Sequence, residues 1–403
     1  MRFLILTQYY PPETGAPQNR LSGLARELKA LGHEVVVLTA MPNYPAMEVH
    51  SSYKGLRYML DEFENTEVHR SWIYVSKNRS IVSRLLNYFS FTFSSIVYSS
   101  KIKGHFDYLM VESPPLFLGI SAWWISKRKK AKMVFNVSDL WPESAEKLGV
   151  IENRFFLKMA TLLEEWLYKT SYSITGQTQG IVQNIITRFP NKMVHWLPNG
   201  VDESIFQIKK DTSIRSNLNF EKDDFLIMYA GIIGIAQGLD VILDAAKLIP
   251  AESKVMYLLL GDGPEKQRLM QRVSDEKIQR VKFLELVSRE VVPSYVDAID
   301  AAVIPLKKMD LFLGAIPSKI FENAALGKPL LLSVDGEARK LFIDEGNAGL
   351  YIEPENCQML ADASLQLERN PELAKSMGDN GKNYVQKFFM RKNITKEWLN
   401  TLN

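Results

Sequence analysis

Ala315–Leu332 reads AIPSKIFENAALGKPLLL, a short helical pattern that runs directly into an apolar strand. Pro317 suits the first turn of a helix, because the amide hydrogen that it lacks would have no partner there. Gly327 suits the end of the helix. The helix start would direct free backbone amides, the Ser318 hydroxyl and Lys319 toward one point. This arrangement predicts an anion-binding site in front of a parallel strand.

The same alternation of apolar strand and helix fills the rest of the chain. Strand-like runs rich in β-branched and bulky residues each precede a helix-length segment. They are FLILT, EVVVLT, DYLMVES and KMVFNV in the first half, and FLIMYAG, KVMYLLLG, VKFLEL, AAVIPL and PLLLSV in the second. Continuous apolar strands separated by helices predict parallel sheets covered on both faces. We therefore expect an α/β protein with two Rossmann-like domains that face each other across a cleft.

The boundary between the halves is expected at LPNGVDESIF, Leu197–Phe206, a turn-rich segment that could serve as a hinge. A length of 403 residues also favours two domains. We expect an N-terminal domain at 1–198 and a C-terminal domain at 199–386. A final helix at about 387–403 is expected to pack back on the first domain.

Composition excludes several classes of protein. An apolar content of 46% with 24% charged residues is typical of soluble globular proteins. A net charge of +3 without a dense Lys/Arg tract gives no support for a nucleic-acid partner. No eighteen apolar residues run together, so no membrane span is expected. The five histidines have no ligand-like spacing, and the single cysteine, Cys357, excludes an internal disulfide and fits a reducing cytoplasm.

The loops after the strands are the candidate site, because open parallel sheets bind ligands beyond the carboxyl ends of their strands. In the second half these loops contain Gly231 and Gln237, then Gly263, then Arg289. In the first half Gly15 follows the first strand, where a missing side chain would let the backbone approach a ligand closely. Several such loops at one sheet edge predict a nucleotide-sized site.

Five segments, in the same order, resemble the family 4 glycosyltransferases with the GT-B fold. They are PPETG, ALGHEVVVLT, LPNGVD, LLLGDGPEK and PSKIFENAALGKP. MPNYP (Met41–Pro45), DLWPES and YAGIIGIAQG resemble the branch that builds bacterial O-antigen, capsule and exopolysaccharide, some of whose members transfer N-acetylated deoxyhexosamines. The resemblance implies a retaining, metal-independent transfer from a nucleotide diphosphate sugar, with UDP as the first choice and no further cofactor. It also implies a polyprenyl diphosphate-linked saccharide as acceptor.

The resemblance assigns roles to individual residues. Glu322 would accept hydrogen bonds from the ribose hydroxyls, while Ser318, Lys319 and the helix amides would hold the diphosphate. Asp139 stands in Ser138-Asp139 where the family has a His-Asp pair, so it is the candidate for contact with the donor sugar or the acceptor hydroxyl. Asp139 and Lys319 are thus the expected catalytic residues. The other expected donor-binding residues are Gly15, Gly231, Gln237, Gly263 and Arg289.

Three positions depart from the family pattern. Many members have an Arg, a Lys and a first Glu where this chain has Ile232, Gln237 and Gly314. Two alternatives therefore stay open, a UDP-sugar 2-epimerase on the same fold and a catalytically inactive GT-B scaffold.

Simpler structural roles also stay open for several candidates. Glu322 could support a neighbouring lysine on the helix surface, and Arg289 could form a surface salt bridge. Asp139 could cap the helix that follows DLWPES. Gly15 and Gly263 could serve only the turns that contain them.

Two segments suggest contact with a membrane surface. Residues 76–104 read as a helix crowded with Leu and Phe and edged by Lys and Arg, a pattern typical of helices that lie in a membrane interface. Residues 123–132, WWISKRKKAK, add tryptophans and a cationic cluster. We expect a cytoplasmic enzyme, peripheral on the inner face of the bacterial plasma membrane. The alternative is that these aromatic residues belong to the core of the first domain.

Overall fold

The computed structural model of the chain describes residues 1–44, 47–78, 80–147, 149, 151, 153–207 and 213–402. Two residues of the predicted motifs, Pro45 and Arg79, lie outside the described residues. The chain divides into two compact units. Unit 1 is Met1–Pro198 with Arg391–Asn403, and unit 2 is Asn199–Met390.

Strands and helices alternate along both units. The strands are β1 (Arg2–Leu6), β2 (Glu34–Ala40), β3 (Tyr58–Phe63), β4 (Thr66–Ser71), β5 (Tyr108–Ser113), β6 (Lys132–Val137), β7 (Ser173–Gly176), β8 (Val194–Trp196), β9 (Phe225–Ala230), β10 (Val255–Leu260), β11 (Val281–Leu284), β12 (Ala301–Pro305), β13 (Leu330–Ser333) and β14 (Gly349–Tyr351). The α-helices are α1 (Ala16–Ala30), α2 (Ile81–Tyr98), α3 (Leu118–Lys129), α4 (Glu143–Lys147), α5 (Arg154–Thr170), α6 (Gln179–Arg188), α7 (Ser213–Asn217), α8 (Asp240–Leu248), α9 (Lys266–Asp275), α10 (Val292–Ala298), α11 (Lys319–Ala325), α12 (Glu337–Arg339), α13 (Cys357–Arg369), α14 (Pro371–Phe388) and α15 (Arg391–Asn400). Within the described ranges, no helix combines the length and the hydropathy needed to cross a membrane.

Unit 1 contains an eight-stranded sheet in the order β3-β4-β2-β1-β5-β6-β7-β8. Every neighbouring pair is parallel except β3 and β4, which form an antiparallel hairpin. α15 packs against α1, and the Tyr108 hydroxyl donates to the Leu402 carbonyl oxygen at 2.5 Å. The C-terminal helix therefore belongs to unit 1.

Unit 2 contains a six-stranded, fully parallel sheet in the order β11-β10-β9-β12-β13-β14. Its strands are buried because helices cover both faces, and an apolar core packs one of these faces against α8, α9 and α13. The predicted α/β class with two Rossmann-like domains is confirmed. The roles expected for the two domains stay predictions.

The strand order reverses once in each sheet. In unit 1 the reversal lies between β1 and β5, and in unit 2 it lies between β9 and β12. Connections leave the two central strands toward opposite faces at such a point, so a crevice opens beyond their carboxyl ends. The loops after β9 and β12 are therefore where unit 2 can hold a ligand.

Unit 1 buries an ion pair beneath the carboxyl ends of β5 and β6. Arg20 of α1 contacts Glu112 of β5, with only 7% and 3% of their side chains exposed. Asn136 Nδ2 donates to the other Glu112 oxygen at 2.5 Å, and the Thr175 hydroxyl donates to Asn136 Oδ1 at 2.6 Å. The Ser138 hydroxyl donates to Glu112 and accepts from Arg20 at 2.7 Å. Burial lowers the pKa of Arg20 and the Glu112 carboxylate opposes that shift, so each charge depends on the other.

Replacing Arg20 by Met should destabilise unit 1 by about 3–5 kcal/mol, because the Glu112 carboxylate stays buried after its cation is lost. All seven tryptophans lie in unit 1, so urea unfolding followed by tryptophan fluorescence reports on this unit. Arg26→Met is the matched control on the same helix. It breaks an exposed pair with Glu64 and should cost less than about 1 kcal/mol. Equal losses in the two variants would contradict a structural role for the buried pair.

Candidate functional site

The loops after β9 and β12 bring a lysine and a tyrosine together in unit 2. Lys319 Nζ donates to the Tyr229 hydroxyl at 3.1 Å and lies 4.3 Å from the centre of the Tyr229 ring. The Tyr229 hydroxyl in turn donates to the Ile232 carbonyl oxygen at 2.5 Å. A Cβ on Gly231 would come within 2.7 Å of Lys319 Nζ. The ammonium is therefore held against the first residues of the β9 loop, and glycine leaves room for it.

Burial lowers the pKa of Lys319 to about 8, and the Glu322 carboxylate opposes this shift. Desolvation thus outweighs the attraction of the Glu322 carboxylate. A cation in such surroundings gains more from a bound anion than an exposed lysine would, because the local dielectric constant is low. Lys319 is consequently well suited to hold an anionic group.

Glu322 follows Lys319 by one turn of α11. Its Oε1 lies 3.8 Å from Nη2 of Arg289, which stands in the loop after β11, and the two side chains are 42% and 39% exposed. An ion pair of this length and exposure contributes little to stability. The structure therefore brings both predicted residues to one place, and the contact that it shows between them is the surface salt bridge expected as the simpler role.

The loop after β9 touches the loops after β10 and β12. A Cβ on Gly263 would collide with the Ile233 carbonyl oxygen, so a side chain at Gly263 would force the β9 and β10 loops apart. The Ala236 carbonyl oxygen accepts from the Lys307 amide at 2.9 Å, which joins the β9 and β12 loops. Gln237 lies in the same short turn, half-buried. The predicted residues Gly263 and Gln237 thus belong to one continuous wall.

The start of α11 completes this wall. Ser318 directly precedes α11, and its side chain makes no capping hydrogen bond to that helix. Gly314 ends a 3-10 turn, and open space lies where its Cβ would stand. The structure places seven predicted residues around the carboxyl ends of β9 to β12, namely Gly231, Gln237, Gly263, Arg289, Ser318, Lys319 and Glu322.

The two predicted residues of unit 1 follow β1 and β6. Asp139 is exposed, and its Oδ2 accepts from the Ser144 hydroxyl at 2.8 Å at the start of α4. Although this carboxylate reaches solvent, the protein around it removes part of its hydration, and this desolvation raises the pKa of Asp139. Gly15 has a φ of 167°, an extended conformation open to any residue. Gln18 Oε1 stands 2.5 Å from where a Gly15 Cβ would be, so the space beside Gly15 is already filled.

The prediction missed a buried carboxylate in the PPETG segment. Glu13 Oε1 accepts the backbone amides of Asn43 at 2.7 Å and Tyr44 at 2.8 Å, which ties the loop after β1 to the loop after β2. Desolvation raises the pKa of Glu13 to about 7, although the amide donors oppose it. The sequence clue was a carboxylate placed between two prolines and a glycine. Prolines have no backbone amide to donate to it, so it is expected to find hydrogen-bond donors in another segment.

Two other contributors were also missed. Tyr229 accepts a hydrogen bond from Lys319. The sequence clue to this role was a tyrosine hydroxyl in an otherwise apolar strand, two residues before Gly231. Glu112 lies within DYLMVES, where a carboxylate in a buried apolar run indicates a buried partner. The sequence alone does not show that Tyr229 contacts Lys319 or that Glu112 contacts Arg20.

The low pKa of Lys319 predicts how pH affects the stability of unit 2. The unfolded chain binds more protons than the folded chain between pH 8 and the ordinary lysine value of 10.5, so stability rises with pH there. Lys319→Met removes this dependence. Relative to that variant, wild type should gain about 2–3 kcal/mol between pH 7 and pH 10.

The measurement is the free energy of unfolding of both proteins by calorimetry, since unit 2 contains no tryptophan. Lys222→Met, which removes an exposed lysine of unit 2, is the control and should give a difference from wild type that does not change with pH. A pH-independent difference for Lys319→Met as well would show that the ammonium is not desolvated.

Two protein-family profiles match the chain, one for each half. "Glycosyl transferase 4-like domain" matches residues 15–200, and "Glycosyl transferases group 1" matches residues 210–384. A protein of Escherichia coli (strain K12), the glycosyl transferase WcaI, whose name assigns it to colanic acid biosynthesis, is 23% identical over 415 residues, with 100% of both chains covered.

Solved structures of glycosyltransferases share the fold. Sucrose-phosphate synthase from Thermosynechococcus elongatus aligns with a TM-score of 0.77 and 16% identity, covering 99% of this chain and 98% of the other. Anabaena Alr3699/HepE, solved with UDP and glucose, aligns with a TM-score of 0.73 and 16% identity, covering 100% and 99%. The two profiles, the full-length relative and the fold agree, and the chain belongs to the group 1 (GT4) glycosyltransferases with the GT-B fold.

Proposed function

We propose that this glycosyltransferase moves a sugar from a UDP-sugar to a polyprenyl diphosphate-linked saccharide in bacterial surface polysaccharide synthesis, with retention and without a metal. The observation that carries the proposal is the desolvated ammonium of Lys319 beside Tyr229 and Gly231, at the point where the strand order of unit 2 reverses. The Anabaena structure with UDP supports the choice of base. The Escherichia coli relative named for colanic acid biosynthesis supports the pathway class. The sequence resemblance includes enzymes that transfer N-acetylated deoxyhexosamines, so this is the first class of donor sugar to screen.

Unit 2 binds the donor in this proposal. Lys319 and Ser318 hold the diphosphate, Gln237 adds uncharged hydrogen bonds, and Glu322 accepts the ribose hydroxyls. As the bond between the sugar C1 and the phosphate oxygen breaks, negative charge grows on the leaving UDP. Donors fixed before the reaction stabilise this state more than the ground state, and so they accelerate the transfer.

Unit 1 binds the acceptor in this proposal, with Asp139 contacting the acceptor hydroxyl or the donor sugar. The acceptor oxygen forms its bond to C1 on the same face that UDP leaves, which retains the configuration. The acceptor proton passes to the departing phosphate oxygen, so no carboxylate nucleophile is needed. The elevated pKa of Asp139 makes its carboxylate a better hydrogen-bond acceptor for that hydroxyl.

The proposal predicts that UDP stabilises the protein and that GDP, ADP, dTDP and CMP do so far less. A ligand at about a hundred times its dissociation constant adds about 2.7 kcal/mol to the free energy of unfolding. Glu322→Ala should lose most of this gain, because the ribose contacts disappear. Calorimetry measures the shift in the unit 2 transition.

Glu276→Ala is the matched control for this experiment. Glu276 is also a half-exposed glutamate of unit 2 paired with an arginine, Arg272, but it follows α9 and lies outside the candidate site. Its variant should keep the full UDP-induced gain. A folded wild type that no nucleotide stabilises would favour the inactive scaffold. Release of UDP without transfer to any acceptor would favour the 2-epimerase.

A further inference from the structure

Helix α2 turns an apolar stripe toward solvent. Its exposed apolar residues recur every three or four positions, so they form one line along the helix. They are Val82, Leu86, Phe89, Phe93 and Val97. Phe93 is 69% exposed, a value unusual for a phenylalanine in a globular protein. A helix on the surface of a soluble domain ordinarily buries such a stripe.

The face of α2 that packs on unit 1 is largely polar. Its buried polar residues are Ser83, Asn87, Thr92, Ser94 and Ser95. Asn87 Nδ2 donates to the Tyr74 carbonyl oxygen at 2.6 Å, and Gln8 Nε2 donates to Asn87 Oδ1 at 2.8 Å. The Ser95 and Ser121 hydroxyls lie 2.6 Å apart. These hydrogen bonds fix the rotation of the helix, so the apolar stripe cannot turn inward without leaving buried polar groups unpaired.

The apolar stripe continues onto helix α5. Phe155, Met159 and Leu162 share one face of α5, and Phe155 is 76% exposed. The Phe89 ring lies 4.5 Å from the Phe117 ring, which lies 6.3 Å from the ring of Phe156, the neighbour of Phe155. Both helices pack against α3. The eight exposed side chains therefore form one surface, called here the α2–α5 surface.

The charged residues within α2 and within the first ten residues of α5 are all positive. Arg84 is the one charged residue between Ile81 and Tyr98, and Arg154 and Lys158 are the only ones in the first ten residues of α5. All three are exposed. An apolar surface bordered by these cations complements an anionic lipid interface.

We infer that the α2–α5 surface inserts into the interface of an anionic bilayer and docks unit 1 on the membrane. The inference rests on the proposed function in one respect: the proposed acceptor is lipid-linked, so the enzyme must reach it at a membrane surface. Asn87 of α2 binds Gln8 directly after β1, and Phe117 follows β5. The surface thus borders the carboxyl edge of the unit 1 sheet, where Gly15 and Asp139 also lie.

Docking by this surface does not use the stretch at residues 123–132 that the sequence pointed to. Trp123 and Trp124 are only partly exposed. Trp123 packs against Trp166 with ring centres 5.4 Å apart, and the Arg128 guanidinium lies 5.2 Å from the centre of the Trp124 ring. The second membrane-contacting segment in this inference is residues 155–162 of α5, and not residues 123–132.

The test is co-sedimentation of the full chain with vesicles of phosphatidylglycerol or of phosphatidylcholine. Wild type should bind phosphatidylglycerol vesicles more tightly, because the basic residues add attraction to the apolar contact. Phe93→Ser combined with Phe155→Ser should weaken binding by about tenfold for each phenylalanine removed. The matched control combines Met193→Ser with Phe388→Ser, which removes two exposed apolar side chains elsewhere and should leave binding unchanged.

The outcomes separate this inference from the proposed function. The Phe93/Phe155 variant should keep wild-type stabilisation by UDP, because its changes lie in unit 1. Failure of wild type to bind either vesicle would overturn the inference even if it transfers sugar to a detergent-solubilised acceptor. Equal vesicle binding by the variant would also overturn it, since the attraction would then be charge alone. A wild-type dimer in sedimentation velocity, lost in the variant without vesicle binding, would assign the surface to a second copy of the chain.

Discussion

The reversal of strand order between β9 and β12 is the constraint on which the candidate site depends. Because the chain leaves these two neighbouring strands toward opposite faces, their carboxyl ends open a crevice that no connection crosses. The loop after β9 supplies Gly231, and the segment after β12 supplies Lys319. The two segments approach the crevice from opposite faces of the sheet. Sheet topology therefore decides which distant sequence segments become one site.

The desolvation of Lys319 in the candidate site lowers the stability of the unliganded protein. Lys319 is desolvated, and its contact with Tyr229 supplies a hydrogen bond and a ring but no negative charge. A hydrophobic side chain would suit the same surroundings better in the unliganded protein. Such a half-buried cation is understandable if an anionic ligand completes the site, because the bound anion replaces part of the solvation that the ammonium has lost. The exposed apolar stripe of α2 follows the same logic, since it is costly in water and favourable in a lipid interface.

Much of the fold could be predicted from the sequence. The apolar runs became strands because both faces of a parallel sheet are buried, which leaves an uninterrupted hydrophobic signal. The hairpin of β3 and β4 escaped prediction because Tyr58–Phe63 exposes several of its side chains and carries charges, as an edge strand does. β8 and β14 have three residues each, too few for a pattern. The polar inner face of α2 depends on partners such as Gln8 and Ser121, which are remote in sequence.

Hydrogen exchange of the full-length wild type with and without UDP tests the central claim most directly. The account predicts slower exchange of backbone amides at residues 228–238 and 316–325, where the loop after β9 and the start of α11 would contact the nucleotide. Residues of β13 and β14, at the far edge of the same sheet, should exchange unchanged and serve as the internal reference. Protection confined to unit 1, or protection absent from both segments while UDP is bound, would contradict the assignment of the donor to this crevice.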